Sequence, residues 1–193
     1  HLLVACRATD EVREYDAQTG AFLGPFVEAS SGGLHLPQSL IFKSDGNLLV
    51  TSNQTANAID RVNGIIEYNG TTGDFVRVFV NGGLLGTGCG STRCLYGPNG
   101  MAFGPNGHLY VASSINDLVI QYDGVSGAFL NYFDTSILDF PVGIAIRPAT
   151  GLRPGNILVT SRWVNPGNPN DTHKILEFDK TTLELISPGG TFA

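Results

Sequence analysis

The chain has 193 residues, and its 17 acidic against 11 basic side chains give a formal charge of −6. That balance, without any Lys/Arg cluster, argues against nucleic acid and anionic membrane surfaces as partners, and no apolar run is long enough for membrane insertion. The 25 Gly and 10 Pro exceed what a helical protein tolerates and fit many short strands joined by tight turns.

From the N-terminus, Leu2-Leu3-Val4-Ala5-Cys6 reads as a strand. A second follows at Val12-Arg13-Glu14-Tyr15-Asp16, then a turn at Gln18-Thr19-Gly20 and a strand carrying Phe22 and Phe26. The next unit adds a strand in front, Leu40-Ile41-Phe42 after Pro37. The hairpin signal Ser44-Asp45-Gly46-Asn47 leads to Leu48-Leu49-Val50-Thr51-Ser52, then Ile65-Ile66-Glu67-Tyr68-Asn69, Thr71-Thr72-Gly73 and a strand with Phe75 and Phe79. The third unit repeats this with Met101-Ala102-Phe103 after Pro98, the turn Pro105-Asn106-Gly107-His108, Leu109–Ser113, Val119–Asp123, and Phe129 with Phe133. The fourth has Ile144-Ala145-Ile146 after Pro141, a stretched turn reaching Asn156, Ile157–Ser161, Ile175–Asp179 and Leu183–Ile186. Even spacing places each Phe pair on one face of its strand. His108 fills a turn position held elsewhere by Asn47 and Asn156, so it reads as a turn residue.

The step from Tyr15 to Tyr68, Tyr122 and Phe178 is about 54 residues, a period typical of propellers and solenoids. Four-stranded units of this length are propeller blades. The fold class is therefore all-β: a β-propeller of four-stranded antiparallel blades. Four blade units are present, approximately 1–28, 37–80, 98–134 and 141–193, and the first lacks its inner strand. The chain 1–193 is one propeller or part of one. Loops between second and third strands alternate, short after Val4 and Val111 and long after Val50 and Val159. The long ones share a face with the blade-to-blade connections, and that face has most freedom to serve function. The open edge at Leu2–Cys6 is a pairing template, so self-association into an oligomer or filament is an expectation.

Cys89 and Cys94 sit in a Gly-rich insertion. They suit a small disulfide loop, half a metal site or two free thiols. The disulfide is favoured, because two thiols do not close a zinc tetrahedron and no His is near in sequence. Such a loop contributes roughly 2 kcal/mol and implies an oxidising compartment. Cys6 stands where the repeat has Ser and reads as a buried, inert thiol. The chain starts at His1 and its only Met is Met101, so His1 is not read as the translational start and the lack of a signal peptide is silent on secretion. The localisation that fits is extracellular or secreted.

The stretch Pro98-Asn99-Gly100-Met101-Ala102-Phe103-Gly104-Pro105-Asn106-Gly107-His108-Leu109-Tyr110-Val111-Ala112-Ser113, with Val119–Gly124 and Gly127–Leu130, resembles the NHL-type, lactonase-like and streptogramin-lyase-like β-propeller superfamily. The resemblance implies a ring of six or seven blades in the relatives. It also implies, for the metal-dependent lactonases, a cation held in the central channel by Glu, Asn and Asp from the inner strands. Here the residues opening the inner strands are Gln38, Asn99 and Val142, and only Asn99 suits that role. The lyase-like members need a His and a Glu near the channel, and neither can be placed. The superfamily spans scaffolds, binding modules and enzymes.

No nucleophile, zinc-helix or phosphate-loop motif is present. No cofactor is called for. Calcium remains open through Asp134, Asp139 and Asp171 with loop carbonyls, although three separated acids read more simply as surface charge. Sequons at Asn53, Asn69 and Asn170 fall in loops or turns, where glycans are feasible. Trp163 beside Arg162, with His35 and His173 on the loop face, are the interface candidates. Two readings follow. One is a non-catalytic extracellular scaffold or interaction module for a protein or glycan. The other is a fragment of a lactonase- or lyase-like enzyme whose site is completed by further blades.

Overall fold

The structure, a computed structural model, describes residues 1–53, 62–82, 94–133, 138–148, 155–162 and 174–187. Its strands form four antiparallel meanders. The first joins β1 (Leu2–Cys6), β2 (Glu11–Tyr15) and β3 (Phe22–Val27). The second joins β4 (Leu40–Phe42), β5 (Leu48–Ser52), β6 (Gly64–Tyr68) and β7 (Phe75–Asn81). The third joins β8 (Pro98–Phe103), β9 (Leu109–Ser113), β10 (Leu118–Tyr122) and β11 (Phe129–Tyr132), and the fourth β12 (Pro141–Ile146), β13 (Ile157–Ser161), β14 (Lys174–Phe178) and β15 (Leu185–Ser187). Up-and-down sheets of this kind are propeller blades, as the repeated phrases predict. The chain divides into two compact units, His1–Pro98 and Asn99–Ala193, each carrying two blades.

The middle strands are the most apolar and the most buried. β5, β6, β9 and β10 are buried at every position, which explains why they read as near-continuous apolar runs rather than as alternating ones. In the first unit Val12, Val27, Leu34, Leu48, Val50, Ile66 and Tyr68 pack into one core. In the second, Tyr110, Val119, Phe133, Leu138, Ile157, Val159, Leu176 and Phe178 form the equivalent cluster.

Three expectations change. Cys6 is free, but it is half-buried rather than buried. It lies on β1, which among the described strands pairs only with β2, and Leu2 is 55 % and Val4 37 % exposed. The Phe pairs do not share a face. Phe75 is 45 % exposed and packs edge-on against Tyr68, whereas Phe79 is 5 % exposed and lies under Lys43 and Arg77. Register shifts between Ile65 and Ile66 and between Glu67 and Tyr68 insert extra residues into β7. One inserted residue reverses which side of the sheet the next side chains meet. The inner strands of the third and fourth blades also start earlier than the apolar run suggests, at Pro98 and Pro141, the latter followed by a register shift. Proline is tolerated as a first strand residue because it need not donate to the ladder there.

Candidate functional site: a cleft where one blade loses its ion cluster

The third strand of each blade sets one polar residue against the second strand: Glu14 opposite Leu3, Glu67 opposite Leu49, Gln121 opposite Tyr110 and Glu177 opposite Leu158. In the second blade this residue is the centre of a buried ion cluster. Glu67 is 2 % exposed. Its Oε1 accepts from Lys43 Nζ at 2.6 Å and Asn47 Nδ2 at 2.9 Å, and its Oε2 accepts from Arg77 Nε at 2.7 Å. Burial pushes the Glu67 carboxyl up, but the hydrogen bonds from Lys43, Asn47 and Arg77 outweigh it and hold it below its ordinary range. For Lys43 burial pulls down, and the hydrogen bonds to Asp45 and Glu67 leave it raised. The fourth blade repeats the arrangement: the Arg147 guanidinium donates to both oxygens of Glu177, and Asn156 Nδ2 donates to Oε1 at 2.6 Å. In the first blade His1 Nδ1 lies 2.5 Å from Glu14 Oε1.

The third blade replaces every member together. Lys43 N–H donates to the carbonyl of Asn47, Arg147 N–H to that of Asn156 and Gly104 N–H to that of His108, so the residues that close these turns correspond. Gly104 thus stands in the place of Lys43 and Arg147, and His108 in the place of Asn47 and Asn156. Tyr110 replaces Leu49 and Leu158, and Gln121 replaces the carboxylates. The Tyr110 ring occupies the space over Gly104, where a Cβ would lie 2.6 Å from it. Tyr110 Oη accepts from Asn106 Nδ2 at 3.0 Å and Gln121 Nε2 at 3.1 Å. Burial raises the Tyr110 phenol, with the Asn106 bond partly offsetting it, so it stays protonated at neutral pH.

A cleft of about 440 Å³ opens here, within the second unit. Asn106 and His108 border it from the β8–β9 turn, Gln121 and Asn131 from β10 and β11, and Lys180 and Thr181 from the β14–β15 turn. Sequence reasoning saw His108 as a turn residue and missed the cleft. The signal was present in the third-strand series Glu14, Glu67, Gln121, Glu177, where one neutral residue interrupts the acids.

The residues expected to carry function are placed differently. His35 is not a solvated loop residue. Its Nδ1 lies 2.9 Å from Asp10 Oδ2, and Asp10 Oδ1 accepts the N–H of Leu36 at 2.8 Å. The second unit has the same latch, Asp117 Oδ1 accepting the N–H of Phe140 at 2.8 Å. Leu36 and Phe140 have φ of 43° and 50°, a left-handed conformation unfavourable for side chains of this size, and the carboxylates hold them in it. Ser52 Oγ and Ser161 Oγ complete each latch by accepting the N–H of His35 and Asp139. Arg162 is exposed, while Trp163 and His173 lie outside the described residues.

Asn53 Nδ2, the atom a glycan would occupy, donates to Pro98 O at 3.0 Å. Asn69 Oδ1 accepts the N–H groups of Thr71 and Thr72 in a tight turn, and Asn170 lies outside the described residues. Of the inner-strand residues, Gln38 is exposed and Val142 half-buried, and Asn99 Nδ2 donates to Ser114 Oγ. Asp139 is half-buried, while Asp134 and Asp171 lie outside the described residues. Cys94 is buried, and Cys89 lies outside the described residues. Thiol titration of the denatured, unreduced protein is expected to find one reactive group, Cys6; three would refute a Cys89–Cys94 bond.

No protein-family model and no curated protein matches the sequence. Solved structures do. The chain is similar to hydrazine synthase of Kuenenia stuttgartiensis, with a TM-score of 0.67 at 15% identity over 96% of this chain and 44% of that one. It is similar to a putative gluconolactonase, with a TM-score of 0.58 at 14% identity over 83% and 53% of the two chains. It is also similar to regucalcin from Agrobacterium tumefaciens, described as a calcium-binding protein, with a TM-score of 0.51 at 18% identity over 79% and 44%. The chain spans about half the length of these structures or less. Identities this low speak for the β-propeller fold and not for an activity.

Proposed function

We propose that the chain is a non-catalytic binding and scaffold module of an extracellular β-propeller, with a protein or glycan as partner. The observation that carries this reading is where the described carboxylates go. Glu67 and Glu177 are closed into ion clusters within their blades, and Asp10 and Asp117 join consecutive blades. Groups held this way stiffen a scaffold and are not aimed at a substrate. Self-association through the β1 edge, where Leu2 and Val4 are exposed, belongs to the same proposal, as do a stiffening disulfide and glycans on loop sequons. Mixed with a simple lactone and calcium or zinc, the chain is expected to give no hydrolysis above buffer. Metal-dependent turnover abolished by Asn99→Ala would overturn the reading. The fold's likeness to a putative gluconolactonase supports a second reading, an enzyme segment whose site needs further blades.

A further inference from the structure

We propose that the cleft of the third blade binds an acidic saccharide, with Lys180 and His108 receiving its carboxylate and the amides of Asn106, Gln121 and Asn131 receiving its hydroxyls. The inference rests on the binding-module reading and names the ligand class of one site within it.

The coordinated replacement is the first argument. Losing Glu67's counterpart alone would leave a cation buried without a partner, and losing the cation alone would strand a carboxylate. The third blade changes all four positions and arrives at a neutral, hydrogen-bonded wall around Tyr110. One acceptor on that wall is open to the cleft. Gln121 is 9 % exposed, its Nε2 is held by Tyr110, and its Oε1 accepts no hydrogen bond from the described residues. That oxygen is not among the buried unpaired atoms of the described residues, so it opens to solvent in the cleft, where a ligand hydroxyl can donate to it.

The chemistry of the lining narrows the ligand. Side-chain amides both donate and accept, and so do hydroxyls, which makes an amide-lined cleft a match for a polyol. Pro105 and Leu183 add apolar surface for the C–H face of a sugar ring. The side chains of Lys180 and His108 make no hydrogen bond or ion pair with the described residues. Asp123 and Asp179 interact with His108 and Lys180 only through space, because their hydrogen bonds are spent in their own turns: Asp123 Oδ1 accepts from the N–H groups of Val125 and Ser126 and from Ser126 Oγ, and Asp179 Oδ1 from the N–H groups of Thr181 and Thr182. A lysine without an arginine fork suits a singly charged carboxylate better than a phosphate. The volume falls in the lower part of the range of ligand pockets, enough for one or two sugar rings.

The test uses the 193-residue chain with tetragalacturonate, and with its methyl ester as the uncharged counterpart. Titration calorimetry is expected to show saturable binding of the acid, weakened about tenfold both by esterification and by Lys180→Met. In ¹⁵N-edited NMR spectra the side-chain amides of Gln121 and Asn131 are expected to shift with the acid. Gln121→Glu, which restores the acid of the other blades, should abolish binding while the thermal unfolding midpoint shows the chain still folded. No saturable binding, equal affinity for acid and ester, or an affinity unchanged in Lys180→Met would each overturn the inference. Lactone turnover would instead sink the binding-module reading and leave this affinity untouched, so the two failures are distinguishable.

Discussion

Glu67→Ala is expected to destabilise the protein by about 3 kcal/mol, because it leaves Lys43 buried without its carboxylate. Lys43 would keep only Asp45, whose side chain is half exposed, and would hold its charge in a wall it shares with the Phe79 ring. The double variant Lys43→Met/Glu67→Leu should return to within about 1 kcal/mol of the parent, since an apolar pair of similar volume carries no desolvation cost. Urea unfolding midpoints measured at equal m-values decide it. A single variant costing less than the double one would refute the account. The same cluster sets a pH dependence. The Glu67 pKa is lowered on folding from 4.5, so its contribution is complete above that value and is lost as pH falls through the lowered folded value. The Lys43 pKa is raised from 10.5, so its contribution is complete below that value and is lost as pH rises through the raised one. Acid unfolding should therefore shift less with pH in the double variant than in the parent.

A second large effect is expected of Gly124→Val, again about 3 kcal/mol, this time from overpacking. A Cβ at Gly124 would lie 2.0 Å from the carbonyl oxygen of Gly107 and 3.0 Å from the Phe103 ring. Gly70 meets Gly46 in the same way, at 1.7 Å. Both glycines follow the third strand and sit under the tight turn joining the first two strands. The rule is confirmed by its exceptions. In the first blade, whose described residues include no such turn, the position is Ala17, and in the fourth blade, whose turn is longer in sequence, it is Lys180. Ala17→Gly is thus the control, expected to change stability by less than about 1 kcal/mol. Thermal unfolding of the two variants, read against the parent, should separate them by several degrees; an unchanged midpoint for Gly124→Val would refute the close approach.

The blades were legible because each is local. Apolar runs, Asp-Gly and Asn-Gly turns and a fixed period specify a meander with little help from distant residues, and β5, β9 and β13 fall where the phrase Leu48–Ser52 and its repeats place them. The faces of the outer strands were not legible. A bulge in β7 sends Phe75 to Tyr68 and Phe79 to Lys43, and nothing in the spacing of two phenylalanines announces the extra residue. The cleft was legible only in part. Gln121 breaks a visible series of acids, but what makes a cavity of that break is Tyr110 lying over Gly104, which depends on three strands at once. His35 misled because a histidine in a connecting loop looks solvated until the aspartate 25 residues earlier is known to reach it.

That aspartate has a wider consequence. Asp10 and Asp117 are 107 residues apart, about two repeat lengths. Midway, Asn63 precedes β6 as the aspartates precede β2 and β10, and it donates to Leu95 O at 2.8 Å. The residue bent there is Gly97, with a φ of 61°, one position before Pro98 as Leu36 and Phe140 are before Pro37 and Pro141. Glycine takes that conformation at no steric cost, so its joint does not need a carboxylate to hold it. Leu36 and Phe140 do need one. Recombination between repeats should therefore succeed where the aspartate travels with the bent residue it restrains, and fail where a bulky bent residue is placed behind Asn63.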